Sequence, residues 1–506
     1  MPVPWSSTTV RSRFPTRWAD RRHVGLSIER QVPLWRKAGY GAGSIADSIY
    51  FYSWDLLVLF YFTQVRGLPG TLTGVAILIA LVVDAISDPY VGYLSDRLHG
   101  TRWGRRNTPV ILSALPLALS FALLFTPPAS LSHTGLFLWL LFFGVSSRLL
   151  LTFFVIPYKA MGAELSRSVI ERPRIVAAAA VGNTIARVGL PLVTFGVFFL
   201  ESARYERGQL DPANYPPFAA AAALAMLAAI ALVVAATLGP LRDDERREAP
   251  TTTGSLSLRA ALREVLQAMT LTPNVRRLFV LALFVFVCMV SITVLKIHVL
   301  TYVWQVPKDL SKWVMSAQGF GGALGAVLLP LLMREFDRRR AIIVGIGGFT
   351  MINAFAVLLP VFSVGPAIGS RELATWIIAA MFIGGVFLGA YLVSIGAISN
   401  DVADEHEVAT GIRQQALIAG FLTLAIKAAG GLMSLVTGIY LDLIRFPKGV
   451  PAAAVPQESV FALGSFVAAF CVIGAVGVTA ACRRIDSSIA KQREINRRLE
   501  ADLKSH

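Results

Sequence analysis

Twelve long apolar stretches, separated by short polar or charged segments, dominate the pattern of residues along this chain. Each is long enough to cross a hydrocarbon layer of about 30 Å as an α-helix, which takes about 20 residues. Alternation between apolar and polar residues is weak, so the pattern favours helices over a β-barrel. The stretches lie near residues 39–63, 71–95, 108–126, 135–161, 175–200, 217–239, 277–304, 314–333, 341–363, 373–399, 415–443 and 459–482. The pattern predicts an all-α membrane protein with twelve transmembrane helices.

Composition and charge agree with this prediction. Charged residues make up only 15% of the chain, whereas soluble domains contain about 25%. The net charge of +16 could suggest a nucleic-acid-binding protein. Most of the Lys and Arg residues, however, fall on the side of the predicted membrane that holds both ends of the chain, as the positive-inside rule describes. We therefore expect a multi-pass protein of the cell (inner) membrane, with both termini in the cytoplasm, the lipid bilayer around it and no nucleic-acid partner.

The second apolar stretch contains two carboxylates, Asp84 and Asp88, four residues apart. On a helix they share a face, one turn apart and near the centre of the bilayer. A carboxylate at that depth costs on the order of 3 kcal/mol on insertion scales and marks a functional site by default. A cation would neutralise the pair, which predicts a site for Na⁺ or H⁺. The alternative interpretation is a pair of protonated or cytosol-facing acids with a structural role.

Lys427, on the eleventh stretch, is an isolated cation in about 28 apolar residues, and Thr423 lies one helical turn before it. A lysine at this depth needs a carboxylate partner, and the Asp84–Asp88 pair is the expected one. We therefore place Lys427 and Thr423 with the acid pair in the candidate cation site.

Polar residues on the first, fourth and fifth stretches form a candidate substrate site. Ser48 and Asp55 are seven residues apart and are expected to share a helix face. Lys159 follows a helix-kinking proline, and its cation is expected either to face the cavity or to extend toward the cytoplasmic surface. Arg187 shares a face with Asn183 and needs an acidic or carbonyl partner, for which Asp47 and Asp55 are candidates. Two cations and one carboxylate suit an anionic or zwitterionic ligand better than a neutral disaccharide.

The second and third stretches are joined by a short, charged, glycine-containing segment that resembles the signature loop of the major facilitator superfamily. Its candidate gating residues are Gly92, Asp96, Arg97 and Arg105. Residues 334–340 repeat this loop in degenerate form, which implies two six-helix halves. The predicted divisions are an N-terminal cytosolic tail 1–38, a first half 39–239, a cytoplasmic linker 240–276, a second half 277–482 and a C-terminal cytosolic tail 483–506.

The chain as a whole resembles the glycoside-pentoside-hexuronide:cation symporters, the branch of the major facilitator superfamily that is similar to melibiose permease. The residues that carry the resemblance are Tyr40-Gly41-Ala42-Gly43, Asp84 to Pro89, Arg102-Trp103-Gly104-Arg105, Ile156-Pro157-Tyr158, Ala163-Glu164-Leu165, Glu171-Arg172, Asp404-Glu405, Thr410-Gly411, Arg413 and Lys427. It implies the major facilitator fold and a coupling-cation site at Asp84 and Asp88, with Lys427 and Thr423 matching the lysine and threonine of helix eleven.

The departures from that family concern the sugar. Ser48 stands where melibiose permease has a sugar-binding aspartate on helix one, and Val155 replaces the one on helix four. The resemblance therefore implies cation coupling more firmly than galactoside recognition.

Taken together, these features predict a secondary active transporter that couples Na⁺ or H⁺ to a sugar, glycoside or related small solute by alternating access. We expect a monomer without a cofactor and no enzymatic activity. Alternatives are a sodium-dependent lysophospholipid symporter of the same broader family, a non-transporting membrane sensor, or a membrane-embedded transferase. Six scattered histidines without a fixed acid partner argue against the transferase.

Overall fold

The computed structural model describes residues 31–98, 101–166, 168, 170–245, 273–332, 338–410, 415–484 and 497 of the chain. In these ranges the chain forms twelve long helices, and no β-strand occurs among the described residues. The helices are α1 (Leu34–Ser53), α2 (Gly70–Arg97), α3 (Asn107–Leu124), α4 (His133–Glu164), α5 (Glu171–Val193), α6 (Tyr215–Glu245), α7 (Pro273–His298), α8 (Lys308–Leu332), α9 (Arg338–Val361), α10 (Arg371–Thr410), α11 (Gln415–Leu443) and α12 (Gln457–Arg484). Each predicted apolar stretch corresponds to one helix, so the prediction of a twelve-helix bundle is confirmed.

Ten of these helices are long and apolar enough to cross a membrane. The regular α-helical geometry of α1 ends at Ser53, after which the chain continues through π-helical turns at Trp54–Val58 and Tyr61–Val65. Helix α10 runs about three turns past the predicted end at residue 399, because its polar C-terminal segment remains helical as far as Thr410. Apolar length marks the part of a helix inside the hydrocarbon layer and not where the helix stops.

Helix packing repeats after six helices. In the first six the closely packed pairs are α1–α5, α1–α6, α2–α4, α3–α4 and α3–α6. Adding six to each number gives the pairs that pack closely in the second six: α7–α11, α7–α12, α8–α10, α9–α10 and α9–α12. The expected division into two six-helix halves is confirmed. The exact boundaries remain a prediction, and residues 246–272 of the predicted linker lie outside the described residues.

The two halves meet along two helix pairs, α2–α11 and α5–α8. Helices α2 and α5 of the first half correspond to α8 and α11 of the second, so the two pairs are equivalent. Glycines allow α2 and α11 to touch backbone to backbone: a Cβ built on Gly438 would lie 2.1 Å from the carbonyl oxygen of Gly70. In the same way, a Cβ on Gly319 of α8 would lie 2.8 Å from the carbonyl oxygen of Arg187 on α5. Small residues at membrane helix contacts permit this approach. The interface between the halves therefore passes through the helices that carry the candidate site residues.

Contacts between the halves concentrate at the end of the bundle where α1 leads into α2, which we call the α1–α2 end. There the Tyr302 hydroxyl donates to Gln64 Oε1 at 3.0 Å. Gln209 Nε2 donates to Thr301 Oγ1 at 3.0 Å. His298 is fully buried with its ring against those of Phe60 and Phe446. These contacts close the α1–α2 end of the interface between the halves.

Candidate functional site

Helix α2 presents Asp84 and Asp88 on one face, as the four-residue spacing predicts. Asp84 is 3% exposed, and the Asp88 side chain is 21% exposed. Pro89 follows directly within the helix, and because it has no N–H it cannot donate to the carbonyl of Ala85. The carbonyl oxygen of Ala85, one residue after Asp84, therefore lacks its usual helical hydrogen bond.

Lys427 of α11 lies between the two carboxylates, as expected. Its Nζ is 2.6 Å from Asp88 Oδ2 and 3.0 Å from Asp84 Oδ2. The lysine belongs to the second half and the aspartates to the first, so this contact joins the halves near the middle of the bundle. Thr423 lies one turn before Lys427 and has an exposed side chain. Its assignment to the cation site remains a prediction.

Two residues of α4 complete the surroundings of Asp84. Thr152 Oγ1 donates to Asp84 Oδ1 at 2.7 Å and lies 3.3 Å from Asp88 Oδ1. Arg148 Nη1 lies 3.5 Å from Asp84 Oδ2. The sequence analysis gave neither residue a role. The available signal was their spacing, because an arginine and a threonine four apart in an apolar stretch share a face.

The guanidinium of Arg148 is 1% exposed and is held by aromatic rings of α1 and the π-helical turn after it. Its Cζ lies 4.3 Å from the centre of the Trp54 ring, with Tyr50 and Phe51 slightly farther away. Its Nη2 lies 3.9 Å from Asp55 Oδ1. Stacking of this kind suits the planar guanidinium. Arg148 therefore lies between the acid pair and Asp55.

The side chains of Ser48 and Asp55 do not share a helix face, contrary to expectation. Ser48 Oγ accepts from Asn183 Nδ2 at 3.0 Å, whereas Asp55 faces Arg148. The reason is the π-helical turn at Trp54–Val58, which adds residues to the turn and so rotates Asp55 away from the direction that regular α-helical geometry gives.

Arg187 has a carbonyl partner and not a carboxylate. Its Nε donates to Asn183 Oδ1 at 2.9 Å on the same helix face, as the shared face of the two residues predicts, and the suggested pairing with Asp47 or Asp55 is not found. Ser48, Asn183 and Arg187 thus form one hydrogen-bonded chain across α1 and α5. A neutral amide satisfies the hydrogen bond of Arg187 without neutralising its charge.

Lys159 is exposed, and its charge acts on Asp47 of α1, which also experiences the charge of Arg148. Asp47 Oδ1 is buried and has no hydrogen-bond partner among the described residues. The predicted substrate residues therefore fall into three groups: Ser48 with Arg187, Asp55 with Arg148, and Lys159 near Asp47.

The predicted gating loop ties together the ends of α2, α3 and α4. Arg105 Nη2 lies 3.2 Å from Glu164 Oε1, and Arg97 stacks on Tyr93 at 4.2 Å. A Cβ on Gly92 would contact Ile156 at 3.7 Å. The side chain of Asp96 lies outside the described residues. These contacts lie within the first half, and a gating role remains a prediction.

The site offers hard oxygen ligands, two carboxylates and a hydroxyl, which suit Na⁺ or a proton better than a transition metal. The described residues contain no group of three or more His, Cys, Asp or Glu side chains that could hold a metal ion.

Comparison with known proteins places this arrangement in context. Residues 39–485 match the family described as MFS/sugar transport protein. The inner membrane symporter YicJ of Escherichia coli is 31% identical over 236 residues, which cover 46% of this chain and 47% of the relative. The uncharacterized symporter YjmB of Bacillus subtilis is 23% identical over 85% of this chain and 88% of its own length. The chain spans about half or less of the first curated relatives that it matches.

Solved structures of transporters share the fold. A bacterial homolog of the human lysosomal transporter Spinster, in an inward-facing and unoccupied conformation, has a TM-score of 0.61 at 16% identity and covers 89% of this chain and 97% of its own. The inward-open xylose transporter XylE of E. coli has a TM-score of 0.58 at 13% identity and covers 91% and 96%. At these identities the similarity establishes the fold alone. The family match extends over most of the chain, and the chain therefore belongs to the MFS/sugar transport protein family of membrane transporters, not to a family of enzymes.

Proposed function

We propose that the protein is a secondary active symporter, which couples the movement of Na⁺ or H⁺ to uptake of a sugar, glycoside or related small solute by alternating access. The observation that carries the proposal is the Asp84–Asp88 pair, which lies between the two halves and is contacted by Thr152 from one half and Lys427 from the other. Relatives named as symporters, among them a putative glycoside/cation symporter of E. coli, support the same function.

The acid pair lies at the interface between the halves, where binding of a cation can be coupled to their rearrangement. Lys427 links α11 to α2 across the interface between the halves, so any cation that occupies the carboxylates competes with this lysine. Binding of the cation weakens one contact between the halves and favours their rearrangement. The membrane potential supplies about 2.3 kcal/mol per charge per 100 mV to drive such a cycle.

For the solute we propose the polar groups of the first half: Ser48, Asp55, Lys159 and Arg187. Arg148 joins Asp55 to Asp84, which gives a direct electrostatic route between solute and cation sites. We further propose the cell (inner) membrane, with both termini in the cytoplasm. In that orientation the α1–α2 end faces outward.

The test is uptake by the full chain reconstituted in liposomes, with an imposed Na⁺ or proton gradient and a panel of radiolabelled sugars, glycosides and a lysophospholipid. Asp84→Asn and Asp88→Asn should each abolish gradient-driven accumulation, because each removes a negative charge from the cation site while keeping the side-chain size. Asp309→Asn, an exposed acid paired with Arg371, serves as the control. Normal accumulation in either pair variant would falsify the assignment of the cation site. Accumulation of lysophospholipid and no sugar would instead favour the alternative substrate.

A further inference from the structure

His298 is a titratable side chain buried at the closed α1–α2 end of the bundle. It is the last residue of α7, and its side chain is fully buried. Neither ring nitrogen has a hydrogen-bond partner among the described residues. A buried polar group without a partner is costly, so packing alone does not explain a histidine at this position.

The repeat of the fold shows which residue type packing alone accepts here. The π-helical turn Val299–Val303 after α7 corresponds to the turn Tyr61–Val65 at the end of the first span. Each turn is closed by the same two backbone hydrogen bonds, which are Arg66 N to Tyr61 O and Leu68 N to Phe62 O in the first half, and Trp304 N to Val299 O and Val306 N to Leu300 O in the second. His298 and Phe60 directly precede their turns, so a phenylalanine occupies the equivalent position in the first half.

His298 and Phe60 also contact each other across the interface between the halves. Their ring centres are 4.9 Å apart, edge to face. Gln64 and Tyr302, four residues farther along each half, are likewise equivalent, and their hydrogen bond crosses the same interface. One half therefore contributes an apolar ring to this contact, and the other contributes a ring that can bind a proton.

No charge near His298 would compensate an added proton. Among the described residues, no carboxylate oxygen lies within 4.0 Å of its ring nitrogens. Helix α7 and its π-helical turn pack against the turn Trp54–Val58 and against α9, α10, α11 and α12. The titratable groups that these elements place toward the α1–α2 end have other partners or are exposed. Asp55 lies beside Arg148, Lys296 binds Gln318, Tyr302 binds Gln64, Tyr440 binds the Ala462 carbonyl and Asp442 binds the start of α2. Arg371, Glu372, Arg445 and Glu458 are exposed.

Protonation of His298 therefore opposes closure of the α1–α2 end. An imidazolium in this contact would have two N–H donors without acceptors and no negative charge beside it. When the halves separate at this end, Phe60 leaves with the first half and water reaches the ring nitrogens. Water solvates the imidazolium, so the open form binds a proton more strongly than the closed form does.

We infer that His298 is a proton-sensitive switch between the halves: in its neutral form it packs against Phe60 and keeps the α1–α2 end closed, and in its protonated form it favours opening of that end. A hydrated histidine has a pKa of about 6.5. Closure is therefore fully stabilised above about pH 6.5 and is progressively weakened as the pH falls below this value.

The experiment measures the separation of the halves by double electron–electron resonance. Spin labels are attached to cysteines introduced at Ser130 in the α3–α4 loop and at Ala367 in the α9–α10 loop, two exposed positions at the α1–α2 end in opposite halves. The three native cysteines are buried. The full chain is studied in nanodiscs without solute. The ratio of the longer to the shorter distance should rise about tenfold as the pH falls from about 7.5 to about 5.5, with the rise starting near about pH 6.5.

Two variants of the labelled protein remove the titratable group. His298→Phe supplies the second half with the ring that the first half has at the equivalent position, so its distance ratio should be the same at every pH in this range. His298→Gln is a second neutral variant and should also lose the pH response. The control is His133→Gln. His133 is exposed on α4 at the same end, so this variant should respond to pH as the labelled wild type does.

Three results would overturn the inference: a wild-type ratio that does not change with pH, a wild-type rise that begins only below about pH 5, where carboxylates titrate, or a response that persists in His298→Phe and His298→Gln. The first two concern the wild type alone, so they decide the inference even where a variant does not fold. The measurement uses neither solute nor gradient, and its outcome is therefore independent of the proposed symport.

Discussion

At the scale of single residues, the hydroxyl of Thr152 is the least conspicuous part of the candidate cation site. It has one proton and donates it to Asp84, while its oxygen lies within 3.3 Å of Asp88. A cation bound to both carboxylates would find this oxygen in range as a third ligand. Thr152 is therefore expected to contribute to cation affinity and not only to packing.

Thr152→Val removes the hydroxyl and keeps the shape of the side chain. The variant removes an oxygen ligand for Na⁺, and a polar contact to a charged group contributes about 1.5–3 kcal/mol, so the Na⁺ concentration for half-maximal uptake should rise by about tenfold or more. Uptake measured over a series of Na⁺ concentrations and pH values tests this. Thr152→Ser retains the hydroxyl and should behave nearly as the wild type. If the valine and serine variants have equal cation dependence, the hydroxyl is not part of the cation site.

Arg148 shows where residue-level reasoning from sequence stops. An arginine in an apolar stretch needs a carboxylate, but Asp47, Asp55, Asp84 and Asp88 were all available as partners. Only the packing of α4 against both α1 and α2 selects Asp84 and Asp55. The partner of Lys427, in contrast, could be predicted, because the acid pair forms the strongest concentration of negative charge in the apolar part of the chain.

At the scale of elements, helical periodicity correctly predicted which residues share a face where the helix is regular. It failed where the helix is irregular. Asp84 and Asp88 share a face because α2 is a continuous α-helix around them. The same argument failed for Ser48 and Asp55, because Asp55 lies within a π-helical turn. Nothing in the apolar sequence at this turn distinguishes π from α geometry, since the difference lies in which carbonyl each N–H reaches.

The contact between α2 and α11 depends on glycines at three positions. Gly70 and Gly438 face each other, and a Cβ on Gly74 would lie 2.7 Å from the Cα atom of Leu435. The sequence indicates small residues here but not which helix they contact. The structure shows that this contact sets the distance between α2 and α11, the helices that carry the acid pair and Lys427.

Gly438→Ala should therefore destabilise the protein, because the added methyl group would overlap the Gly70 backbone. Overpacking of this kind costs typically about 1–3 kcal/mol, measurable as a lower apparent melting temperature in detergent. Gly420→Ala on the same helix is the control, since a Cβ there meets no atom within 4 Å. It should be neutral or slightly stabilising. Equal melting temperatures for the two variants would contradict the close contact.

At the scale of the whole molecule, the two six-helix halves were predicted from a degenerate internal repeat of the loop after the second span. The contacts that close the α1–α2 end were not predicted. Among them, the Tyr302 hydroxyl donates to Gln64 of the opposite half. These two residues are 238 positions apart, and no local pattern in the chain signals their contact.

Asp442 makes a further contact at the α1–α2 end. The N-cap residue of α2, Pro69, makes no side-chain capping bond. Asp442, at the end of α11 in the other half, accepts from the backbone nitrogens of Gly70 at 2.9 Å and Thr71 at 2.7 Å. A carboxylate at a helix N-terminus satisfies free N–H groups and is favoured by the helix dipole. This cap exists only while the two halves are together at this end.

Asp442→Ala should therefore shift the population toward molecules that are open at the α1–α2 end. Losing about 1.4 kcal/mol of the contact energy raises the open population, and with it the access of reagents, by about tenfold. The reporter is a cysteine at Thr301, which is fully buried at this end, labelled by a membrane-impermeant maleimide. The three native cysteines are buried and give a low background. Asp309→Ala removes an acid whose partner Arg371 lies in the same half, so its labelling rate should match that of the reporter protein alone. Equal rates in the two alanine variants would mean that the cap on α2 does not hold the halves together.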